Sequence, residues 1–134
     1  MLLVVDASVA VSMCYAGARL GRLHGHDLRA PAHLPAEVTS AIREAAFRGE
    51  IPAAHAATAL GYLQDMPLAY ERPGQRALEA LHLAERMGWA KTYDAEYIVM
   101  AQALEAPLVT LDARLRRGAA DLLVDVIGPD EVGA

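Results

Sequence analysis

Two aspartates directly follow apolar runs that have the pattern of buried strands. Asp6 comes after Leu2–Val5, and Asp112 comes after residues 108–111. Runs of leucine and β-branched residues are typical of parallel strands that are buried on both faces. Since function gathers at the carboxyl ends of such strands, neighbouring strands would place both carboxylates in one crevice. Their mutual repulsion would then either raise the pKa of both carboxyl groups or require a cation between them.

Two further acids fall in the first turns of predicted helices. Glu37 follows Pro35, and Asp94 follows Thr92, which is a favourable N-cap residue. Both first turns can point at the same strand ends. Four carboxylates without a paired histidine or a second cysteine suit Mg²⁺ or Mn²⁺ better than zinc. The pattern predicts metal-assisted hydrolysis of a phosphodiester, in which a bound metal activates water and neutralises charge in the transition state.

Each of these four acids also has a purely structural interpretation. Acidic residues are favoured in first turns by the helix dipole, and an aspartate after a strand commonly forms a turn. For any one position taken alone, the structural interpretation is the stronger one. The ordered combination along the chain favours the catalytic interpretation.

Alternating short apolar runs and longer amphipathic stretches predict one α/β domain over residues 1–134. The predicted strands are Leu2–Val5 and residues 28–30, 68–70, 108–111 and 122–127. The predicted helices cover residues 35–47, 53–63 and 75–87, and a fourth runs from Thr92 to the break at Pro107. Gly49 and Gly88 are predicted to end the first and third helices. The predicted apolar stripes include Leu78, Leu81 and Met87 in the third helix, and Tyr97, Ile98, Ala101 and Leu104 in the fourth.

The composition excludes several classes of protein. A chain of 134 residues, 54% hydrophobic and 22% charged, fits one globular core. No apolar stretch is long enough to span a bilayer, and no lysine or arginine precedes the N-terminal run, so we expect a cytoplasmic protein without a signal peptide. Cys14 is the only cysteine, which excludes an internal disulfide, and we expect it in the core.

Four segments together resemble the PIN domain, and in particular the VapC toxins of type II toxin–antitoxin pairs. They are Val4-Val5-Asp6-Ala7-Ser8; Pro35-Ala36-Glu37-Val38, followed by Ala41 and Arg43; Thr92-Tyr93-Asp94-Ala95-Glu96-Tyr97; and Leu108-Val109-Thr110-Leu111-Asp112, followed by Arg114-Leu115. The resemblance runs through essentially the whole chain in order and length. It departs in residues 15–26, which are rich in glycine and alanine and shorter than the two helical pieces often found there.

The resemblance implies a three-layer α/β/α domain with a central, mostly parallel sheet. It also implies a metal-dependent endoribonuclease that cuts RNA in a single strand or loop, such as a tRNA or rRNA loop. Asp6, Glu37, Asp94 and Asp112 would be catalytic, and Asp6, Asp94 and Asp112 would hold Mg²⁺ or Mn²⁺. Ser8 and Thr110 would support the pocket, although local capping explains Ser8 equally well.

The partner that the resemblance implies is a VapB-type antitoxin, whose C-terminal segment would lie in a groove of this chain. The residues themselves predict a homodimer. The helices at 35–47 and 53–63 carry more small apolar surface than a monomer of this size needs to bury. No association with a membrane is expected.

A net charge of −5 is unusual for a protein that binds nucleic acid, so the distribution of charge matters. Of 17 acidic residues, four are those above and four lie in the last 14 residues, which leaves nine against 12 lysines and arginines. Cations close to Asp94 and Asp112 are candidates for phosphate contacts: Lys91, Arg114, Arg116 and Arg117. A solvated helix face is the alternative interpretation. Two interpretations of Trp89 stay open: it could stack on a base, or it could be a partly buried anchor.

Two other functions compete with the nuclease. One is a PIN-type module that binds RNA or a protein without cutting, against which the four intact acids argue. The other is an aspartyl-phosphate phosphatase of the dehalogenase type, whose first strand also ends in aspartate. That chemistry needs a second aspartate two residues later as general acid, where this chain has Ser8.

Overall fold

Five parallel strands form a single sheet in the computed structural model, which describes residues 1–133. The strands are β1 (Leu2–Val5), β2 (Asp27–Ala30), β3 (Leu68–Tyr70), β4 (Leu108–Val109) and β5 (Val126–Ile127). Their order across the sheet is β3-β2-β1-β4-β5, and every neighbouring pair is parallel. β1 is wholly apolar because both of its faces are covered by helices, and Leu3, Val4 and Val5 have no exposed surface.

Six α-helices connect the strands within residues 1–133. They are α1 (Ala7–Tyr15), α2 (Leu34–Phe47), α3 (Ala53–Gly61), α4 (Ala77–Met87), α5 (Tyr93–Leu104) and α6 (Ala113–Gly118). Short 3₁₀ turns lie at Gly21–Leu23, Tyr62–Asp65 and Pro129–Glu131. In this part of the chain, no helix is both long and apolar enough to cross a membrane.

The connections place helices on both faces of the sheet. From β1 to β2 and on to β3 the chain moves across the sheet one way, and from β3 to β4 and β5 it moves the other way. Because crossovers between parallel strands are right-handed, α1, α2 and α3 cover one face, and α4, α5 and α6 cover the other. Accordingly, α2 packs against α1 and α3, and α5 packs against α4, β1 and β4. The predicted three-layer α/β/α fold with a parallel sheet is confirmed.

The reversal between β1 and β4 determines where the site lies. Val5 of β1 pairs with Val109 of β4, so the next residues, Asp6 and Thr110, leave the sheet side by side. A reversal of this kind opens a crevice at the carboxyl ends of the two strands. The condition under which Asp6 and Asp112 would share a crevice, that their strands are neighbours, is therefore met.

Two predicted strands are shorter than their apolar runs. Only Val126–Ile127 of residues 122–127 forms a strand, because Val124 N donates to Leu122 O in a tight turn. Leu123 in that turn is 93% exposed. β4 ends at Val109, since the chain turns there into α6, and Leu111 is half exposed.

The helices α2, α3, α4 and α5 follow the order of the four predicted helices, whereas α1 and α6 were not predicted. The predicted stripe of α4 is incorrect for Leu78 and Leu81, which are 65% and 46% exposed. Ala80, Leu83 and Ala84 are the buried residues instead, because small side chains let α4 approach α5 closely. The other differences are small: the third helix begins at Ala77, α3 changes to a 3₁₀ turn after Gly61, and Thr92 occupies the N-cap position of α5 without a side-chain capping bond.

α5 is buried on most of its surface. Its predicted stripe is confirmed, with Tyr97, Ile98 and Ala101 buried and Leu104 partly buried. Val99 and Met100 are buried as well, which no single stripe predicts. Cys14 lies in the core as expected, on the buried side of α1.

Glycines at two helix ends provide a test of the backbone geometry. Gly88 ends α4 with a φ of 71°, and a Cβ there would meet no atom within 4 Å. Replacing Gly88 by alanine should therefore lower the free energy of unfolding by about 1 kcal/mol through backbone strain alone. Gly61 has helical φ and equal space, so Gly61→Ala should raise it by about 0.5 kcal/mol. Urea unfolding measures both, and a shift in the same direction for the two variants would contradict this account.

Candidate active site

Asp6 is the buried centre of the site. Its backbone N–H donates to Val109 O at 3.2 Å, which continues the pairing of β1 with β4. Its side chain also caps α1, since Oδ1 accepts from Val9 N at 3.3 Å. Only 4% of its surface is exposed. The aspartate is thus fixed at the junction of a strand and a helix.

Ser8 and Thr110 hold the two oxygens of Asp6. Ser8 Oγ donates to Oδ1 at 2.6 Å, and Thr110 Oγ1 donates to Oδ2. The same hydroxyls accept from the chain after β4: Ser8 Oγ accepts from Leu111 N and Thr110 Oγ1 from Asp112 N, both at 2.9 Å. The structure therefore brings both residues predicted to support the pocket to the carboxylate itself.

The surroundings of Asp6 disfavour the charged form of its carboxyl group. Burial raises its pKa above the ordinary value, because the charged form loses its hydration. The hydrogen bonds from Ser8, Thr110 and the Val9 amide act in the opposite direction, and the nearby charge of Asp112 raises the pKa further. Positive charge close to Asp6 would relieve both unfavourable contributions.

Asp94 and Asp112 share one arginine. Arg114 Nη2 lies 2.8 Å from Asp94 Oδ2 and 3.3 Å from Asp112 Oδ2. The second oxygen of Asp112 caps α6, accepting from the amides of Arg114 and Leu115. The guanidinium group thus neutralises two predicted ligands while its own side chain stays 70% exposed. Asp112 is therefore the N-cap of α6, and both of its carboxylate oxygens have partners.

Two residues that the sequence analysis did not include in the site lie against the carboxylate of Glu37. Tyr97 Oη donates to Glu37 Oε1 at 2.7 Å, and His33 Nε2 lies 3.0 Å from the same oxygen without hydrogen-bond geometry. Burial and the charge of Glu37 raise the pKa of Tyr97, so its hydroxyl stays protonated and donates. Residues four apart on a helix lie on the same face, so the spacing of His33 and Glu37 could have predicted that they are close to each other. Nothing local marks Tyr97, which fits an apolar stripe.

An open cavity of about 600 Å³ brings two of the four acids and two cations together, whereas Asp6 and Asp112 lie outside its lining. Its lining includes Glu37, Asp94, Lys91, Arg114 and Trp89. Trp89 is partly buried beside Gly118 of α6, so it is both an anchor and a wall of the cavity. The opening therefore has both acidic and basic walls.

Two of the predicted phosphate contacts lie outside this lining. Arg116 is paired with Glu131 at 2.7 Å, and both side chains are about half exposed. Arg117 is exposed and has no ion pair within residues 1–133. Lys91 and Arg114 are the two cations at the cavity itself.

The donor set fits a hard cation in its chemistry. All the candidate ligands are carboxylates, and a positively charged group already lies between Asp94 and Asp112. Among residues 1–133, no three acidic, histidine or cysteine side chains are arranged closely enough to hold one ion together. A divalent ion held by all three aspartates would require their side chains to move closer together.

Comparison with known proteins gives similar sequences and a similar structure. Ribonuclease VapC12, from two strains of Mycobacterium tuberculosis, is 32% identical over 118 residues, which cover 85% of this chain and 89% of that protein. The crystal structure of PAE2754 from Pyrobaculum aerophilum superimposes with a TM-score of 0.74. It covers 98% of this chain and 87% of that one at 21% identity, which supports the fold alone. A scan of protein-family models gives no match.

A parallel sheet between two layers of helices is the architecture of a PIN-like domain. The acids lie at the point where the strand order reverses between β1 and β4, and these two features define the class of protein. With a relative this similar over nearly its full length, the chain belongs to the VapC family of PIN-domain ribonucleases. The resemblance found in the four sequence segments is thus confirmed.

The environment of Asp6 predicts that its buried charge lowers the stability of the fold. Asp6→Asn removes a buried charge and keeps the shape of the side chain, so without divalent cation we expect the free energy of unfolding at pH 7 to rise by about 1 kcal/mol. Because the pKa is raised in the folded state, the penalty is fully present above that pKa. It disappears well below the ordinary aspartate pKa of 3.8, where Asp6 is neutral in both states.

Urea unfolding in EDTA at pH 7 and at a pH well below 3.8 measures this difference. Thr110→Val is the matched control: it removes the donor to Asp6 and should cost about 1–3 kcal/mol. Thr110→Ser should retain most of the stability. An Asp6→Asn variant that is less stable at neutral pH than at acid pH, relative to the unmodified chain, would contradict the account.

Proposed function

We propose that this chain is a metal-dependent endoribonuclease and the toxin of a toxin–antitoxin pair. The proposal rests on the acidic edge of the sheet, where Ser8 and Thr110 fix a buried Asp6 beside Asp112. Kinship with Ribonuclease VapC12 supports RNA as the substrate. The carboxylate ligands favour Mg²⁺ or Mn²⁺ as the cofactor.

Asp6, Asp94 and Asp112 would hold the cation after their side chains move closer together, and the bound cation would supply a water of lowered pKa and positive charge for the transition state. The residues of the chain do the positioning. Ser8 and Thr110 leave Asp6 one orientation, so its oxygens need little reorganisation when they take up a ligand. Glu37, held by Tyr97, would orient a water at the cavity.

Lys91 and Arg114 would bind the phosphates on either side of the scissile bond. Both line the cavity that holds Glu37 and Asp94. Once Arg114 leaves Asp94 and Asp112, its exposed guanidinium group is within reach of a phosphate at the same place. Arg116 and Arg117 would contribute only weak, outer contacts.

The second candidate function is a module that binds RNA without cutting it. The specific observation in its favour is Arg114, which neutralises Asp94 and Asp112 without any metal. In such a module the acids would serve as fixed partners of Arg114, and divalent ions would have no effect.

Cleavage of total RNA separates these two functions. We expect fragments with Mg²⁺ or Mn²⁺ and none in EDTA. Asp94→Asn removes a carboxylate at the cavity, so cleavage should fall at least about 100-fold. Asp121→Asn is the matched control, because it makes the same charge change at an exposed position near the C-terminus and should retain full activity.

Cleavage that is equal in Asp94→Asn and Asp121→Asn would contradict the assigned site. Absence of cleavage with either metal, combined with RNA binding, would favour the module.

The proposed partners are a VapB-type antitoxin and a second copy of this chain. α2 ends at Phe47, which is 78% exposed, and α3 buries only Ala59. These two helices therefore present apolar surface that a monomer leaves uncovered. We propose that α2 and α3 form the dimer surface.

Light scattering tests the dimer. At micromolar concentration the mass should be twice the 14.3 kDa of one chain. Phe47→Glu places a charge in the proposed interface and should reduce the mass to that of one chain. Leu123→Glu is a control, because Leu123 is 93% exposed outside α2 and α3 and should leave the dimer intact. A single-chain mass for the unmodified protein would contradict the dimer.

A further inference from the structure

The cavity lined by Glu37, Asp94, Lys91, Arg114 and Trp89 is called the acidic cavity here. A second cavity opens on the same edge of the sheet. It measures about 320 Å³, and its walls are the chain segments after β2 and β3 together with the start of α5. This volume lies in the range of sites for small organic ligands. None of the four acids lines it, so the proposed hydrolysis does not use it.

Tyr93 lines both cavities. It is the first residue of α5, and it is 53% exposed. The His33 ring supports it from the protein side, with ring centroids 5.3 Å apart and an angle of 42° between the planes. An aromatic ring held in place on one side and open to solvent on the other is the arrangement on which single-stranded nucleic acids stack their bases.

Cations lie on both sides of Tyr93. Lys91 and Arg114 line the acidic cavity, and Arg72 and Arg76 line the second one. Arg76 is tied to Glu71 at 2.9 Å, whereas the exposed Arg72 makes no ion pair within residues 1–133. An aromatic ring between available cations matches the alternation of base and phosphate along a single strand.

Glu96 supplies a polar group in the wall of the second cavity. It is partly buried in the first turn of α5 and makes no ion pair or side-chain hydrogen bond within the described residues. A carboxylate accepts hydrogen bonds and donates none, so it suits the exocyclic amine of a base such as cytosine. Uracil has a carbonyl at the same position, which a carboxylate repels.

We propose that the second cavity binds the nucleotide next to the scissile phosphate, in a subsite that rests on the proposed ribonuclease function. The base stacks on Tyr93 and donates its amine to Glu96. Arg72 binds the phosphate beyond that nucleotide. The substrate strand thus runs from the acidic cavity across Tyr93 into the second cavity.

Binding of short single strands, measured without cleavage, tests the subsite. The probes are fluorescently labelled hexacytidylate, hexauridylate and an abasic sugar–phosphate hexamer, titrated with the full chain in EDTA at low salt. Fluorescence anisotropy should give the affinity order hexacytidylate, hexauridylate, abasic hexamer. Tyr93→Leu keeps the apolar bulk without the ring and should weaken both base-bearing probes about tenfold without changing the abasic one.

Three further variants identify the contacts. Tyr93→Phe should retain the affinity, because the ring alone does the stacking. Glu96→Gln should reduce the preference for hexacytidylate over hexauridylate about fivefold, since an amide can also donate to uracil. Tyr15→Ala is the control, since Tyr15 is similarly exposed at 47% but lines another cavity. Circular dichroism of each variant checks that the fold is retained.

The outcomes separate this subsite from the nuclease proposal. Equal affinity of Tyr93→Leu and the unmodified chain for hexacytidylate overturns the subsite and leaves the nuclease intact. Equal binding of hexacytidylate and the abasic hexamer by the unmodified chain also overturns it, as does an equally large loss in Tyr15→Ala. The expected loss in Tyr93→Leu, in a chain that cuts no RNA with either metal, supports base binding on Tyr93 but overturns the nuclease and, with it, the place of this subsite beside a scissile phosphate.

Discussion

The buried carboxylate of Asp6 is the constraint on which the rest of the site depends. A charge in this position is unfavourable unless donors surround it, and three donors do so: two hydroxyls and the amide of Val9. Both hydroxyls in turn accept from amides after β4. Satisfying one aspartate therefore fixes the ends of two strands and the start of a helix relative to each other, which prepares the pocket before any ligand binds.

The other acids on this edge are balanced by partners of different strength. Glu37 is held by a buried tyrosine, which is a neutral and permanent donor. Asp94 and Asp112 are balanced by Arg114, whose exposed side chain can move away at little cost. This difference suits a site that keeps one acid in place as a positioning group and exposes two others to an incoming cation. It also explains why the resting protein tolerates four acids at one edge.

The first turn of α5 organises both cavities. Tyr97 points inward to Glu37, whereas Tyr93, one turn earlier, is exposed between the two cavities. Asp94 and Glu96 lie between these two tyrosines in the sequence. Asp94 lines the acidic cavity, and Glu96 lines the second cavity. Because α5 is buried along most of its length, its first turn is rigidly held. A rigid start of a helix is a suitable support for groups that must act at fixed distances.

Local sequence patterns were sufficient to predict the fold class, the five strands and four of the six helices described, whereas α1 and α6 were not predicted. Burial on two faces leaves a continuous apolar run such as Leu2–Val5, and strand ends and first turns are recognisable from the residues beside them. Two places misled this reasoning. Residues 122–125 are apolar but turn away from the sheet, and α4 buries alanines rather than Leu78 and Leu81. In both cases the packing of neighbouring elements overrides a local preference.

What only the tertiary structure decided is which side chains meet. Tyr97 and Glu37 are 60 residues apart, and Thr110 and Asp6 are 104 apart. Arg114 connects Asp94 and Asp112 across the gap between α5 and α6. The sequence by itself determined that carboxylates would gather at one edge of a parallel sheet, because strand direction and burial are encoded locally. The donor to each carboxylate, and its resulting charge balance, depend on distances between elements that no local pattern contains.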